Sequence, residues 1–355
     1  MLKQYLNFNT NLTRIRLTKH IFNSVNTSIT RQYISKHGNT ELISLNLGRG
    51  LLSIQGPDSI KFLNGMSTNL VTLNEKDTPN CQYNAFLTPQ GRVMFDSFIY
   101  QNKNNKDSNP SFFMDYPMEQ KETILSHLKK YKLIAKVHIK EVSNEFDLFQ
   151  LSEENKIESE INDECIINED PRLKLMGKRC IIPKGEKGFE AYIKKHSIEL
   201  QDYGSYKLKL LTNGIAETNL GILPMTSLPM ESNLELLNGI HFRKGCYIGQ
   251  ELTIRTHHKG VIRKRLFSIK VLEQEINHLD LINYDIFLSE TSKKSVGKIM
   301  YQNQNQLIVL FRLNHIPKQN ENELEAIIRG NEKDIKVKLK FIIPQFMKPV
   351  LESLE

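Results

Sequence analysis

The chain has 355 residues, 39% of them hydrophobic and 25% charged, an ordinary globular composition with room for two or three domains, each with its own core. No apolar run approaches the ~18 residues of a membrane-spanning helix, the longest obvious one being Leu307–Phe311, and this excludes an integral membrane protein built on helices. Four scattered cysteines without a C-x-x-C pair exclude a disulfide framework or a zinc finger and fit free thiols in a reducing compartment.

The formal net charge of +8 is not spread evenly. Lys3, Arg14, Arg16, Lys19, Arg31 and Lys36 fall in the first forty residues, which hold no acid, so the remainder is close to neutral. An acid-free leader rich in Arg, Ser, Thr and Asn, with a partial helical stripe at Phe8, Leu12, Ile15 and Phe22, has the composition of a mitochondrial transit peptide. Arg31-Gln32-Tyr33-Ile34 resembles a processing-peptidase site, which places the leader at 1–34 and predicts residence in the mitochondrial matrix.

Beyond the leader, Glu41–Leu45 and Leu51–Ile54, joined by Gly48-Arg49-Gly50, read as a strand pair, and a helix is predicted from about Pro57. Tyr83–Leu87 and Arg92–Tyr100 flank Thr88-Pro89-Gln90-Gly91, a type I turn by its Pro and Gly positions, and make a hairpin. Asp96 then falls on the exposed face of that hairpin. A strand at Ser111–Met114 leads to a helix from about Pro117 to Lys132, with Asp115 available as its N-cap. Phe146–Leu151, Cys165–Asn168 and Arg179–Ile182 read as strands, and Gly188–Ser197 and Tyr203–Thr212 as helices. From Val261 the texture changes to short strands separated by polar turns: Leu266–Val271, Ile282–Leu288, Val296–Tyr301, Leu307–Leu313 and Asp334–Ile342. The last alternates Ile335, Val337, Leu339 and Phe341 with lysines, as a half-buried strand does. The pattern is α+β followed by a small all-β module, a barrel over 261–355.

One segment carries chemistry. Cys246 sits between Gly245 and Gly249, with Arg243 and Lys244 directly upstream, where positive charge favours a thiolate over a thiol. Gln250 and Glu251 follow and are placed to hydrogen-bond a heterocycle or to orient the loop. The window His241–Arg265 holds seven Lys or Arg against the single acid Glu251, a basic patch suited to a polyanionic partner. Arg255, His257, His258, Lys259 and Arg263 are its candidate partner-binding residues. The two histidines, read as neighbours on a strand, point to opposite faces and do not share a metal. Physics alone leaves two readings open: a working cysteine, or a buried one in a tight turn beside a solvated basic strand. Cys81, Cys165 and Cys180, in or beside predicted strands, read as ordinary buried thiols.

Lys244-Gly-Cys-Tyr-Ile-Gly-Gln-Glu251 matches the K-G-C-Y-x-G-Q-E signature of the bacterial YgfZ family and its mitochondrial relatives. The longer stretch, from Pro229-Met-Glu-Ser-Asn233 through Arg255-Thr-His-His258 to Gly260-Val-Ile-Arg-Lys-Arg265, resembles the mitochondrial branch, iron–sulfur cluster assembly factors within the glycine-cleavage T-protein superfamily. The resemblance implies two intertwined ferredoxin-like domains of the aminomethyltransferase type, one from 41–80 and 141–260 and the other from 81–140, with the barrel beside a folate-sized opening. It also implies late maturation of four-iron four-sulfur proteins such as aconitase and lipoate synthase, together with A-type scaffold proteins. Cys246 would then supply a thiolate to a cluster shared transiently with the partner.

The resemblance further implies tetrahydrofolate as a cofactor, with Asp96, Lys244, Tyr247, Gln250 and Glu251 as its contacts, and a folate-dependent one-carbon transferase as the competing function. T-proteins carry a tandem aspartate after the glycine turn, where this chain has Phe95-Asp96, and they lack the cysteine signature. Both departures count against aminomethyl transfer. A third reading, a helper in RNA modification, is opposed by the near-neutral body and by the lack of an aromatic–basic stacking motif, which argue against direct nucleic-acid binding.

Overall fold

The computed structural model describes residues 41–353 except 74–78, 106–107, 153–163, 274, 318–321 and 331–333, so the leader expected at 1–34 lies outside the described residues. Strands β1 (Glu41–Ser44) and β2 (Arg49–Gln55) precede helix α1 (Ser59–Met66) and the hairpin β3 (Cys81–Leu87) and β4 (Val93–Gln101). Then come β5 (Ser111–Pro117), α2 (Lys121–Lys132), β6 (His138–Glu141), β7 (Phe146–Leu151), β8 (Ile166–Glu169) and β9 (Lys178–Pro183). Helix α3 (Lys187–Lys195), β10 (Glu199–Gln201), α4 (Tyr203–Thr212), the short pair β11 (Glu217–Thr218) and β12 (Gly221–Ile222), and α5 (Gln250–Lys259) lead to the C-terminal module. That module holds β13 (Lys264–Leu272), β14 (Asp285–Phe287), β15 (Gly297–Asn303), β16 (Gln306–Arg312), β17 (Glu323–Arg329), β18 (Asp334–Ile342) and α6 (Lys348–Glu352).

Two five-stranded sheets form the α+β part, in the orders β10-β1-β7-β9-β8 and β3-β4-β5-β2-β6. The strand pair expected at 41–54 is therefore not a pair. β1 runs parallel to β10 and antiparallel to β7, whereas β2 lies between β5 and β6 in the other sheet. The reason is the turn between them. Gly48 and Arg49 both donate to the Leu45 carbonyl, and Gly48 is packed so closely under the Tyr203 ring that a Cβ there would collide with it. The chain crosses from sheet to sheet at this point. Consequently β2 and α1, expected with 141–260, belong by pairing and packing with β3, β4 and β5.

Asp115 is not the helix N-cap that its position before Pro117 suggests. β5 continues through Pro117, paired there with Arg49, and the helix that follows is capped at Gln120. Asp115 is instead buried in mid-sheet.

The C-terminal module is a closed six-stranded antiparallel barrel, ordered β13-β16-β15-β14-β17-β18 with β18 paired back to β13. Its core gathers Phe267, Ile269, Val309, Phe311, Ile328, Leu339 and Phe341, with Phe341 edge-on to Phe311 at 5.0 Å between ring centroids. β17 was not among the expected strands. Its apolar side chains Leu324, Ala326 and Ile328 alternate with Glu323, Glu325 and Arg329, and two of these, Glu325 and Glu323, pair across to Lys338 and Lys340 of β18.

The two sheets are joined by buried charge. Arg49, Arg172 and Arg179 meet Asp96, Asp115, Asp170 and Glu217, each residue no more than 3% exposed. Arg49 bonds Asp115 at 2.7 Å and Asp96 at 3.2 Å, Arg179 bonds Asp115 at 2.5 Å, and Arg172 bonds Asp170 at 2.7 Å and Glu217 at 2.5 Å. The Phe98 ring lies among the three guanidinium groups, whose central carbons are 3.6, 4.7 and 5.7 Å from its centroid. Burial alone would raise the pKa of Asp115, but Arg49 and Arg179 outweigh it and hold the carboxyl below its ordinary value; Arg172 does the same for Asp170.

Removing one member strands the others in a dry interior. Asp115→Asn is expected to cost about 3–5 kcal/mol in urea unfolding at pH 7. The sign with pH follows from the lowered pKa: the stabilisation by Asp115 is present above the ordinary carboxylate value and is lost as pH falls through the folded one. The gap between wild type and variant should therefore narrow on going from pH 7 to pH 3. A constant gap would contradict a charged Asp115.

Candidate functional site

The loop 244–249 is fixed by what its neighbours bury. Tyr247 enters the core between the sheets, while the next side chain, Ile248, packs on the second core, beneath α1 and α2. Two successive residues are thus anchored in two different cores. The Ile248 amide donates to the Gly65 carbonyl at 3.1 Å, and the Tyr247 amide to the Gln250 side chain at 3.2 Å. Cys246, just before these anchors, is left exposed.

Gly249 closes the loop. Its φ of +78° is the left-handed conformation that glycine adopts freely, and it serves as the N-cap position of α5. A side chain there would strike the Thr88 carbonyl and the Leu87 side chain. Gly91, at φ +79°, sits on the other side of the same contact, and a Cβ on it would lie 2.9 Å from that of Leu252 and 3.0 Å from the Gly249 carbonyl. The β3–β4 turn, closed by the Gly91 amide on the Thr88 carbonyl as expected, is the floor on which the cysteine loop rests. Gly245, by contrast, faces open space.

Lys244 does not point outward with Arg243. Its ammonium donates to the carbonyls of Ser67 and Asn69, each at 2.6 Å, at the end of α1 and just beyond it, and lies 5.1 Å from the Tyr247 ring centroid. Burial pushes its pKa down to about 7, against the pull of two carbonyl dipoles on the charged form. Lys244 is a strut that ties the loop to α1.

The basic patch is smaller than the sequence count, and it is helical. Residues 250–259 form α5, so His257 and His258 are neighbours on a helix, about 100° apart, and do not project from opposite faces of a strand. The local cause is the turn at Gly249, which gives a helix start, with Glu251 in the first turn and His257, His258 and Lys259 in the last, the order the helix dipole favours. His257 stacks on Phe242 with centroids 3.7 Å apart. Arg255, His257, His258, Lys259 and Arg263 are all exposed, as a docking surface requires. Arg265 is not part of it. It is buried, bonding the Met230 carbonyl at 2.7 Å and Glu235 at 2.6 Å, and Asn233 reaches the Leu266 carbonyl, so Met230–Asn233 docks onto the barrel's first strand.

Asp96 is fully buried rather than on an exposed hairpin face. Arg49 holds one oxygen; the Thr218 amide at 2.7 Å and the Thr218 hydroxyl hold the other. The sheet face of β4 that looks outward from the hairpin alone is covered by β11. No hydrogen bond or ion pair among the described residues joins Asp96 to the 244–251 loop. Of the five residues proposed around a heterocycle, the structure groups Lys244, Tyr247 and Gln250 in the loop itself, leaves Glu251 exposed, and places Asp96 elsewhere. A cavity of about 420 Å³ opens beside the charge cluster, lined by Arg49, Tyr203, Lys207, Thr218, Asn219 and Tyr301 among others, and Asp96 is not on its wall.

The charged cluster itself escaped sequence reasoning. Arg49 and Arg179 each stand at the start of a buried strand rich in apolar residues, which was the available signal, whereas Arg172, in the β8–β9 connection, gave none.

The fold and the closed barrel define an α+β protein of the aminomethyltransferase type. The chain is similar to the crystal structure of glycine cleavage system aminomethyltransferase T from Bartonella henselae, with a TM-score of 0.67 covering 87% of this chain and 86% of that one. At 12% identity this likeness speaks for the fold alone. No protein-family profile matches the chain. Among curated proteins, the chain is 36% identical over 245 residues to the mitochondrial iron–sulfur cluster assembly factor IBA57 of Mus musculus, covering 63% of this chain and 64% of that protein. The homologue of that factor from Dictyostelium discoideum is 32% identical over 262 residues, 66% of this chain and 64% of the relative, and the one from Mycosarcoma maydis is 35% identical over 227 residues, 62% and 55%. The chain thus spans between 55% and 64% of the length of these relatives. The resemblance carried by the Lys244–Glu251 signature is borne out by them.

The four thiols should separate cleanly in the native protein. Burial raises the pKa of Cys81 and, with Glu186 and Glu164, pushes Cys165 up to about 12, while Cys180 is buried in β9. Maleimide labelling at pH 7.5, read by mass spectrometry, should show one fast site that disappears in Cys246→Ser. A fast phase surviving in that variant would contradict the assigned exposure.

Proposed function

We propose that the protein is a mitochondrial iron–sulfur cluster assembly factor that acts in the matrix on four-iron four-sulfur clients, with Cys246 ligating iron of a cluster handed between an A-type scaffold and the client. The observation that carries this reading is the exposed cysteine on a rigid loop beside an exposed basic helix. A thiolate is the preferred ligand of iron–sulfur iron, and the cluster is cargo. A single accessible cysteine leaves the remaining iron positions to the partner, so function requires docking, for which Arg255, His257, His258, Lys259 and Arg263 supply a surface attractive to an acidic face. The names of the curated relatives support assembly and the mitochondrion; clients, scaffold and matrix are our proposal.

Against a folate-dependent one-carbon transferase stand two observations. The carboxyl of Asp96 is closed off by Arg49 and Thr218, and Lys244, Tyr247 and Gln250, three of the residues expected at a heterocycle, hold the loop together instead.

Mitochondria depleted of the protein should lose aconitase activity while a two-iron enzyme of the same organelle keeps its own, and re-expression of wild type but not Cys246→Ala should restore it. Unchanged aconitase on depletion would remove the assembly reading, and full rescue by Cys246→Ala would remove the cysteine from it. Reversing charge with Arg255→Glu and Lys259→Glu should slow association with the scaffold about tenfold at low salt and flatten its dependence on ionic strength. Equal rates would place docking on another face.

A further inference from the structure

The turn that follows α2 presents two aliphatic side chains that no core uses. Leu133 is 82% and Ile134 98% exposed. The turn is fixed, not frayed. Leu133 has φ +44° and ψ −118°, a conformation that side-chain-bearing residues avoid. The backbone around it is pinned by the Ala135 amide on the Lys132 carbonyl, the Val137 amide on the Ala135 carbonyl, and the Lys136 amide on the Asp58 carboxylate, at 2.8, 2.9 and 2.8 Å.

Lysines flank the pair along the chain. Lys129, Lys130 and Lys136 are exposed, Lys132 is half-buried, and the Lys130 ammonium lies 5.4 Å from the centroid of the Tyr131 ring at the base of the turn. The helix dipole accounts for lysines in the last turn of α2, but it does not account for Leu133 and Ile134. Two projecting aliphatic residues, a neighbouring aromatic and four lysines within the same short stretch of chain match what enters the headgroup region of an anionic bilayer.

We propose that this turn docks the protein peripherally on an anionic membrane surface, with Leu133 and Ile134 in the interfacial layer and the lysines on lipid phosphates. No helix among the described residues is long and apolar enough to cross a membrane, so the association is with the surface. The orientation follows from α1. Asp58, at its start, holds the docking turn, and Ser67, at its end, holds Lys244 of the cysteine loop. Eight helical residues rise about 12 Å, so Cys246 stands about one helix length from the docking turn.

The full chain contains no tryptophan, so Ile134→Trp introduces a single fluorophore at the proposed point of entry. Its emission should shift to the blue with vesicles of mixed phosphatidylcholine and phosphatidylglycerol, be quenched by brominated acyl chains in them, and stay unmoved with phosphatidylcholine alone. Adding Lys129→Glu and Lys130→Glu should weaken the response at least about tenfold. The basic residues 1–40 can bring the chain to such vesicles by themselves, but they leave the position 134 reporter in water. Co-sedimentation without an emission shift therefore overturns the proposal, as does an equal response to neutral vesicles. A shift produced only by soluble polyglutamate would assign the turn to an acidic protein and overturn it too.

Discussion

Everything in the α+β part is arranged around three buried arginines that must find four carboxylates. Arg49, Asp96 and Asp115 come from one sheet, Arg179 from the other, Asp170 and Arg172 from the β8–β9 connection, and Glu217 from β11. The desolvation of seven ionisable groups is large, and their mutual attraction repays it only when every partner is in place. Hydrophobic residues of the same volume would stabilise the fold as well. A buried network of this kind penalises alternative pairings. Its members are spread from position 49 to 217, so a half-assembled arrangement leaves charge unpaired in a dry interior. Phe98, among the three guanidinium planes, occupies space that water would otherwise take.

The same cluster explains why the chain divides as it does. β1 and β2 are separated by only four residues, yet they enter different sheets, because Arg49 opens β2 facing inward and its partners lie on β4 and β5. Once β2 is placed, α1 follows it, and the end of α1 presents the carbonyls of Ser67 and Asn69 that hold Lys244. The cysteine loop is therefore positioned from the interior outward. Two glycines in left-handed conformation, at 91 and 249, let the hairpin turn and the loop approach more closely than any side chain allows. An exposed thiol on so constrained a loop loses little entropy when a partner engages it, which favours a short, specific encounter over a promiscuous one.

Local pattern disclosed much of this fold and little of its interior. The hairpin around Thr88–Gly91 was legible because turn chemistry is local, and β18 because Ile335 to Phe341 alternate with lysines. Pairing partners were not legible, since 41–45 and 51–54 look like two arms of one hairpin and only tertiary contacts send them apart. β17 was hidden by its charged residues, which face lysines of β18 across the sheet. The signature 244–251 pointed to the family resemblance, yet charge counting around it misled. Lys244 and Arg265 contribute to a sequence tally of basic residues but are turned inward onto backbone carbonyls and a carboxylate. His257 and His258 were assigned to a strand because nothing before Gly249 announces the helix start.

The fold this chain shares with an aminomethyltransferase encloses a buried, charged interior. Its charged side chains pair with one another beside the cavity of about 420 Å³, and Asp96, expected at a heterocycle, is committed to Arg49 and Thr218. A group held by two partners at zero exposure is poorly placed to exchange a proton with a ligand. The surface, by contrast, presents the glycine-bracketed loop and the one exposed thiol among the four cysteines. The interior supplies rigidity to that surface, and the exposed thiol of Cys246 lies where a second protein can reach it.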